Sequence, residues 1–409
     1  MKSEKFEKIY KIVMLIIITV AITFFVTTIG IYNYIKSGKN PSYLTTVLGE
    51  EEASTEYIAS VLQNFRDLID KEYVGEINEQ DLLDGAIKGY ISGLNDPYSE
   101  YYTKEEMSSV MEETEGEFIG IGVYITTDIE ENKVVVVSTM KDYPADKAGI
   151  KAGDYIVKVD GVEYTGEQID ELTNSLKGEE NTTSKIEILR DGETQEIEVK
   201  REKVKVSHID AEMLDSEIGY IDILSFDGDT ATEFETKYNE LVNQGMKKLI
   251  IDVRNNGGGV VEEALNIADL MVDKDKILLI TKNKNEEEEI RKAQKDKIIN
   301  IPVVILANEY SASASEILVA ALKEQAGIKV IGKTTYGKGV IQTLHMLADG
   351  SGVKLTTEEY YTPNRNKINK IGITPDIEVS LDEKYKGVTN IPIEDDLQLQ
   401  MAIEEIKKE

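Results

Sequence analysis

A chain of 409 residues with no cysteine and only two histidines excludes disulfides, thiolate catalysis and cysteine-type zinc sites together. Its 77 Asp and Glu outweigh 46 Lys and Arg, giving a formal net charge of −31. That balance argues against nucleic acid, whose phosphates demand Lys and Arg, and against an anionic membrane surface.

The length leaves room for two or three domains, each with a sizeable core. Residues 1–11 carry Lys2, Lys5, Lys8 and Lys11, and residues 12–32 are apolar with no charge between Lys11 and Lys36. A helix of about 20 residues spans a bilayer's hydrocarbon core. A cleavable signal peptide has a shorter apolar stretch of about 7–15 residues and an A-x-A-like cleavage site. Only Thr28-Ile29-Gly30 resembles such a site, so 12–32 reads as an uncleaved transmembrane anchor. The lysine bias places the N-terminus in the cytoplasm and everything from about residue 33 outside the cell membrane, a single-pass arrangement. Residues 33–50 mix Gly, Pro and polar residues and read as a linker.

From 51 to 113 the apolar spacing is helical, and Tyr57, Val61, Leu62, Phe65 and Leu68 predict one buried stripe. "LNDPYSEYYTKEEM" interrupts it with an Asp-Pro turn, and Thr103 with Glu106 can form a capping box. Residues 114–203 change to short strands and one helix (167–177), with Asp191-Gly192 between two alternating runs as a hairpin signal. From 204 to 381 near-continuous apolar strands alternate with helices, the pattern of an α/β layer around a buried sheet. The charged run 282–297 within it reads as a solvated connector, and 382–409 as a C-terminal helical segment.

Three stretches could carry chemistry. "YSASASEILVAALKE" (310–324) places Ser311, Ser313 and Ser315 where a strand delivers the chain to a helix. The free N–H groups of that helix could hold an oxyanion, although Ser313 with Glu316 also makes a good capping box. A nucleophilic serine needs a base. His208 and His345 read better as ordinary surface or core residues. Lys338 lies between two glycines, where backbone approaches closely, and in a strand Gln342 would share its face. Lowering a lysine from about 10.4 to near 7–8 takes roughly 4 kcal/mol of desolvation, which apolar neighbours could supply. In "DVRNNGGGVVEE" (252–263) three successive glycines could aim N–H groups at an anion, or simply form a tight turn.

Together these stretches resemble the carboxyl-terminal processing peptidases, PDZ-containing serine peptidases with a Ser–Lys dyad. "DVRNNGGG" is similar to that family's D-L-R-x-N-x-G-G, "NEYSASASEI" to its N-x-x-S-A-S-A-S-E-I, and "YGKGVIQ" to its F-G-K-G-x-x-Q. "LNDPYSEYY" and "GITPD" also match, and the resemblance runs in order over about residues 55 to 405. It implies Ser313 as nucleophile, Lys338 as general base and Gln342 as the residue orienting the pair. The oxyanion hole would be the N–H groups of Ala314 and of Gly258, with Gly257, which stands where the family usually has proline, as the other choice. Ser311→Ala and Ser315→Ala are then expected to keep substantial activity.

The resemblance also implies a crotonase/ClpP-like α/β core (204–381) and an inserted β-rich PDZ domain (114–203). In that domain Gly120, Ile121 and Gly122 of "FIGIGV" would bind a peptide carboxylate. The implied partners are proteins with unstructured C-terminal tails, with homo-oligomers also open. No cofactor and no metal are implied. The rival reading is a catalytically inactive relative that binds C-termini through its PDZ domain; retention of Ser313, Lys338 and Gln342 argues against it. A small-ligand or acyl-CoA protein of the crotonase fold would give no reason for the insert.

Overall fold

The computed structural model describes residues 54–385 and 391–409. The expected anchor (12–32), with residues 1–11 and the linker 33–50, lies outside the described residues. Among the described residues no helix is long and apolar enough to cross a membrane. The chain divides into two compact units, up to Leu82 and from Leu83 to Glu409.

The first unit holds α1 (Thr55–Glu72) and the start of α2 (Glu79–Ser92). Ser54 caps α1 by accepting a hydrogen bond from the Tyr57 N–H at 3.2 Å. The expected stripe is helical but not buried: Leu62, Phe65 and Leu68 are 50, 59 and 48% exposed. An amphipathic helix buries its stripe only against a second surface, and its own periodicity does not supply one.

The second unit continues with β1 (Glu100–Tyr102) and α3 (Lys104–Glu115). Thr103 and Glu106 close the expected capping box at the start of α3. Next come β2 (Glu117–Gly120), β3 (Val123–Asp128), β4 (Lys133–Thr139), α4 (Pro144–Lys147), β5 (Tyr155–Val159) and β6 (Val162–Glu163). These are followed by α5 (Ile169–Leu176), β7 (Thr183–Arg190), β8 (Glu193–Lys200) and β9 (Glu202–Lys205). Strands β3-β4-β5-β7-β8 form one sheet with β3 at an edge, and β6 pairs with β5. Its core holds Ile121, Val134, Ile156, Leu172 and Ile186. Asp191 and Gly192, both with positive φ, turn β7 into β8 in the register the sequence predicts. Strands β2 and β9 pair antiparallel, so this small domain enters and leaves the chain through one two-stranded ribbon.

Beyond it lie β10 (Ile209–Met213), β11 (Ile218–Ile223), α6 (Thr230–Asn243), β12 (Lys248–Asp252) and α7 (Val261–Asp269). Then follow β13 (Ile277–Asn283), β14 (Glu288–Lys292), β15 (Val303–Ala307) and α8 (Ala314–Ala321). The chain ends with β16 (Lys329–Gly332), β17 (Val340–Met346), β18 (Gly352–Tyr361), β19 (Ile377–Glu378) and α9 (Leu397–Lys407). The central sheet has the order β10-β11-β12-β15-β16-β19, parallel from β11 onward. All five residues of β15 are buried, as strands covered on both faces must be. A second sheet, β1-β18-β13-β14 with β17 on β18, lies alongside. The charged run 282–297 is therefore not a plain connector. Its side chains stay mostly exposed, yet the backbone of β14 pairs antiparallel with β13.

Candidate active site

Strand β15 ends at Ala307, and residues 308–313 carry the chain into α8. This loop is stitched to the glycine turn after β12. The Ser311 hydroxyl donates to the Val253 carbonyl at 2.7 Å, and the Ser315 hydroxyl to the Asn256 carbonyl at 2.9 Å. The Ala312 N–H donates to that same Asn256 carbonyl at 3.0 Å. Both outer serines are fully buried, and each satisfies a backbone carbonyl of the neighbouring loop. Ser313 alone is half-buried, at φ 57° and ψ −116°. A side chain there is strained, and such strain is retained only where surrounding contacts over-determine it.

Those contacts converge on Glu316, which is fully buried. Its carboxylate accepts the N–H groups of Ser313 at 3.0 Å, Gly337 at 2.8 Å and Lys338 at 2.9 Å. It also accepts the Thr335 hydroxyl at 2.5 Å. Burial raises the Glu316 pKa, and these four donors work against the rise. From the other side, the buried Tyr360 hydroxyl bonds the carbonyls of Ser313, at 3.1 Å, and of Lys338. One carboxylate and one phenol thus hold the backbones of residues 313 and 338 in fixed relation.

Lys338 lies in the loop before β17, not within a strand, so the argument that Gln342 shares its face does not apply. Gln342 is in β17, next to a bulge, and its amide donates to the Thr356 hydroxyl at 3.1 Å. The glycines beside the lysine are required sterically. Gly337 has φ 86°, and a Cβ on Gly339 would stand 2.2 Å from the Asn369 nitrogen. Burial pushes the Lys338 pKa down and Lys354 adds to this, while Glu316 and Asp96 pull the other way. Among the described residues no hydrogen bond joins the Ser313 hydroxyl to the Lys338 amine. His208 is bonded through Nδ1 to the Ser225 hydroxyl at 2.7 Å, and His345 is exposed on β17.

The glycine turn packs directly on the serine. Gly258 has φ 110°, and a Cβ there would meet the Ser313 Cβ at 2.8 Å and the Ala314 nitrogen at 3.0 Å. The Ala314 N–H makes no hydrogen bond among the described residues. The Gly258 N–H is not free, because it donates to Asn256 Oδ1 at 2.8 Å. The expected pair of open donors is therefore half present in this arrangement. In the small β-rich domain Ile121 is buried, Gly122 has φ 75°, and Gly120 ends β2. The Ile121 and Gly122 carbonyls accept the N–H groups of Ala145 and Met140 at 2.8 and 3.0 Å, and their own N–H groups make no hydrogen bond among the described residues.

Glu316 and Tyr360 were not recognised as site residues in the sequence. Glu316 is visible there only as the third residue of a capping box, and Tyr360 has no local signal at all, being 47 positions from Ser313. Among the described residues no cluster of acidic, histidine or cysteine side chains could hold a metal.

Residues 217–379 match Peptidase family S41, 118–200 match a PDZ domain, and 16–106 match the activating protease CtpB N-terminal domain. The carboxy-terminal processing protease CtpA of Bacillus subtilis is 36% identical over 344 residues, covering 84% of this chain and 73% of that protein. A CtpA-like serine protease of Staphylococcus haemolyticus is 34% identical over 393 residues, covering 96 and 76%. A solved S41 protease from Bacteroides fragilis, 14% identical, superposes with a TM-score of 0.51 over 88% of this chain and 99% of its own, a likeness of fold. With catalytic-type loops converging on one strained serine and relatives of this extent, the chain belongs to the S41 peptidases as a PDZ-containing carboxy-terminal processing serine protease.

Proposed function

We propose that Ser313 is the nucleophile and Lys338 the general base, and that the enzyme cuts near the unstructured C-terminal tails of extracytoplasmic proteins. The observation that carries the assignment is the tie between the two loops. Glu316 and Tyr360 fix residues 313 and 338 together, and the half-buried amine of Lys338 is biased toward the neutral form that a base requires.

In the proposed reaction Ser313 Oγ bonds to the scissile carbonyl carbon as its proton passes to the Lys338 amine. The Ala314 N–H and the Gly257–Gly258 turn hold the oxyanion, the Gly258 N–H first leaving Asn256. Collapse breaks the C–N bond, and the lysine ammonium gives its proton to the departing amine. Water then hydrolyses the acyl-enzyme by the same route, and Gln342, bonded to Thr356 of β18, helps orient the pair. Substrate tails would add to edge strand β3, with their carboxylate on the N–H groups at 120–122. Residues 12–32 would anchor the enzyme with its catalytic part outside.

The test is mass-spectrometric analysis of a folded protein with a disordered tail after incubation with wild type, Ser313→Ala and Lys338→Ala. Both variants should leave the tail intact while keeping the native circular dichroism. Normal trimming by folded Lys338→Ala would overturn the dyad. Recovery of a soluble mature chain starting near residue 31 would overturn the anchor.

A further inference from the structure

The segment 94–102, "LNDPYSEYY", has no part in the reaction as described, yet it is built against the lysine. The Asp96 carboxylate organises the turn, accepting the Tyr98 N–H at 3.2 Å and the Ser99 hydroxyl at 2.6 Å. The Ser99 hydroxyl in turn accepts the Thr356 N–H of β18 at 3.1 Å. Strand β1 then pairs with β18, Glu100 opposite Lys354 and Tyr102 opposite Gly352. Thr356 also takes the amide of Gln342, so one residue of β18 joins the segment to the strand that follows Lys338. The result is a rigid wall. From it the Tyr98 ring presents its face to the Lys338 amine, 4.9 Å from nitrogen to centroid.

The lysine is therefore held at both ends, its backbone by Glu316 and Tyr360 and its tip by Tyr98. Four other ionisable groups act around it: Asp96 on the same wall, Glu316 on α8, Lys354 on β18 and the Tyr336 phenol beside Tyr98. The burial that makes the amine a base also makes its ammonium costly once it has taken the serine proton. An aromatic face is suited to this demand, because its quadrupole attracts a cation but makes no hydrogen bond that would tie up the amine lone pair.

We infer that Tyr98 is a positioning residue of the peptidase site, its ring face carrying the Lys338 amine and, with Asp96, holding the ammonium formed during proton transfer. This rests on the reading of Lys338 as the base. The ring and not the hydroxyl is the working part, so Tyr98→Phe should behave as wild type.

The experiment is the pH dependence of kcat/KM for the full-length enzyme on a short unstructured peptide. The rate rises with pH as the lysine becomes neutral. Losing the ring should ease deprotonation, so in Tyr98→Leu that limb should move to lower pH by about 0.4–1.5 units. Asp96→Asn should move it the same way, since a counter-charge is lost. If Tyr98→Leu does not fold, fluorinated phenylalanines at position 98 weaken the ring face at nearly constant shape. The limb should then fall stepwise with each added fluorine. A limb that stays in place across the series, in an enzyme that still requires Lys338, would overturn the inference and leave Tyr98 as packing. Activity surviving Lys338→Ala would instead overturn the base assignment itself.

Discussion

Ser313 holds φ 57° and ψ −116°, a conformation that costs a non-glycine residue on the order of 1–3 kcal/mol. The fold sustains it because Ser311, Ser315 and Glu316 pin the chain on either side. Stability and activity should therefore separate at this position. Ser313→Gly is expected to raise stability by about 1 kcal/mol in thermal unfolding, by relieving the strain, while abolishing cleavage. Ser313→Ala should abolish cleavage with stability near that of wild type. A Ser313→Gly protein less stable than Ser313→Ala would show that the conformation is not strained.

Lys338 carries the matching prediction in pH. Burial favours its neutral form, so the ascending limb of kcat/KM should lie below the ordinary lysine range. Lys338→Arg should be inactive throughout, since arginine does not deprotonate there. A His208→Ala, His345→Ala double variant that keeps the wild-type limb would exclude a histidine as its source.

At the scale of elements, the serine loop and the glycine turn act as one piece. Replacing Ser311 by alanine removes the acceptor of the buried Asn308 N–H as well as the bond to Val253 and should cost about 1–3 kcal/mol, whereas Ser315→Ala should cost less, because the Ala312 N–H still occupies the Asn256 carbonyl. Denaturant unfolding of each variant measures this, with partial activity retained. Within the PDZ domain the corresponding tie is Asp154, whose carboxylate takes two hydrogen bonds from Arg190, both at 2.6 Å, and the Lys151 N–H at 2.7 Å. Burial pushes the Asp154 pKa up, but Arg190 and the Lys151 N–H outweigh it and hold it below the usual carboxylate value. A carboxylate depressed on folding contributes stability that is present above its unfolded pKa of about 3.9 and is lost as pH falls through the folded value. Asp154→Asn should therefore destabilise the domain by about 3–5 kcal/mol at neutral pH and flatten its acid unfolding profile below about pH 4. An acid profile identical to wild type would assign that transition to other carboxylates.

At the scale of the molecule, the PDZ domain joins the peptidase core through the ribbon of β2 and β9, where Glu117 faces Lys205 and Gly120 faces Glu202. The Val206 N–H donates to the Gly116 carbonyl at 2.9 Å, so the ends that flank the insert already meet. Deleting residues 117–205 and joining Gly116 to Val206 should leave a folded core. If the PDZ domain captures tails, KM for a tailed protein should rise while kcat for a short peptide holds. Faster cleavage of both substrates would make the domain a gate instead. The far end of the core is closed by α9, whose capping Asp396 reaches the Arg254 guanidinium at 2.8 and 2.9 Å. Arg254 also bonds Asp252, so the C-terminal segment is tied to the strand that leads into the glycine turn.

Local chemistry was legible wherever neighbours in the chain decide the outcome. Thr103 with Glu106 capped α3, Asp191-Gly192 turned β7 into β8, and the three-glycine run bent the chain after β12. Each depends on φ and hydrogen bonds within a few residues, which residue type alone controls. The helical period of α1 was equally readable, but whether its stripe is covered depends on a partner surface, and Phe65 is exposed. Composition likewise hides the strand in the charged run 282–297, because β14 takes its ladder partner from β13. The separate roles of the three serines, the fourfold acceptance by Glu316, the Asn256 bond to Gly258 and the placing of Tyr98 under Lys338 were decided only by the tertiary structure. Those contacts join residues up to 240 positions apart, as from Tyr98 to Lys338. A hydrogen bond or ring contact across such a distance is set by how sheets and loops pack, and no period or turn propensity along the chain encodes it.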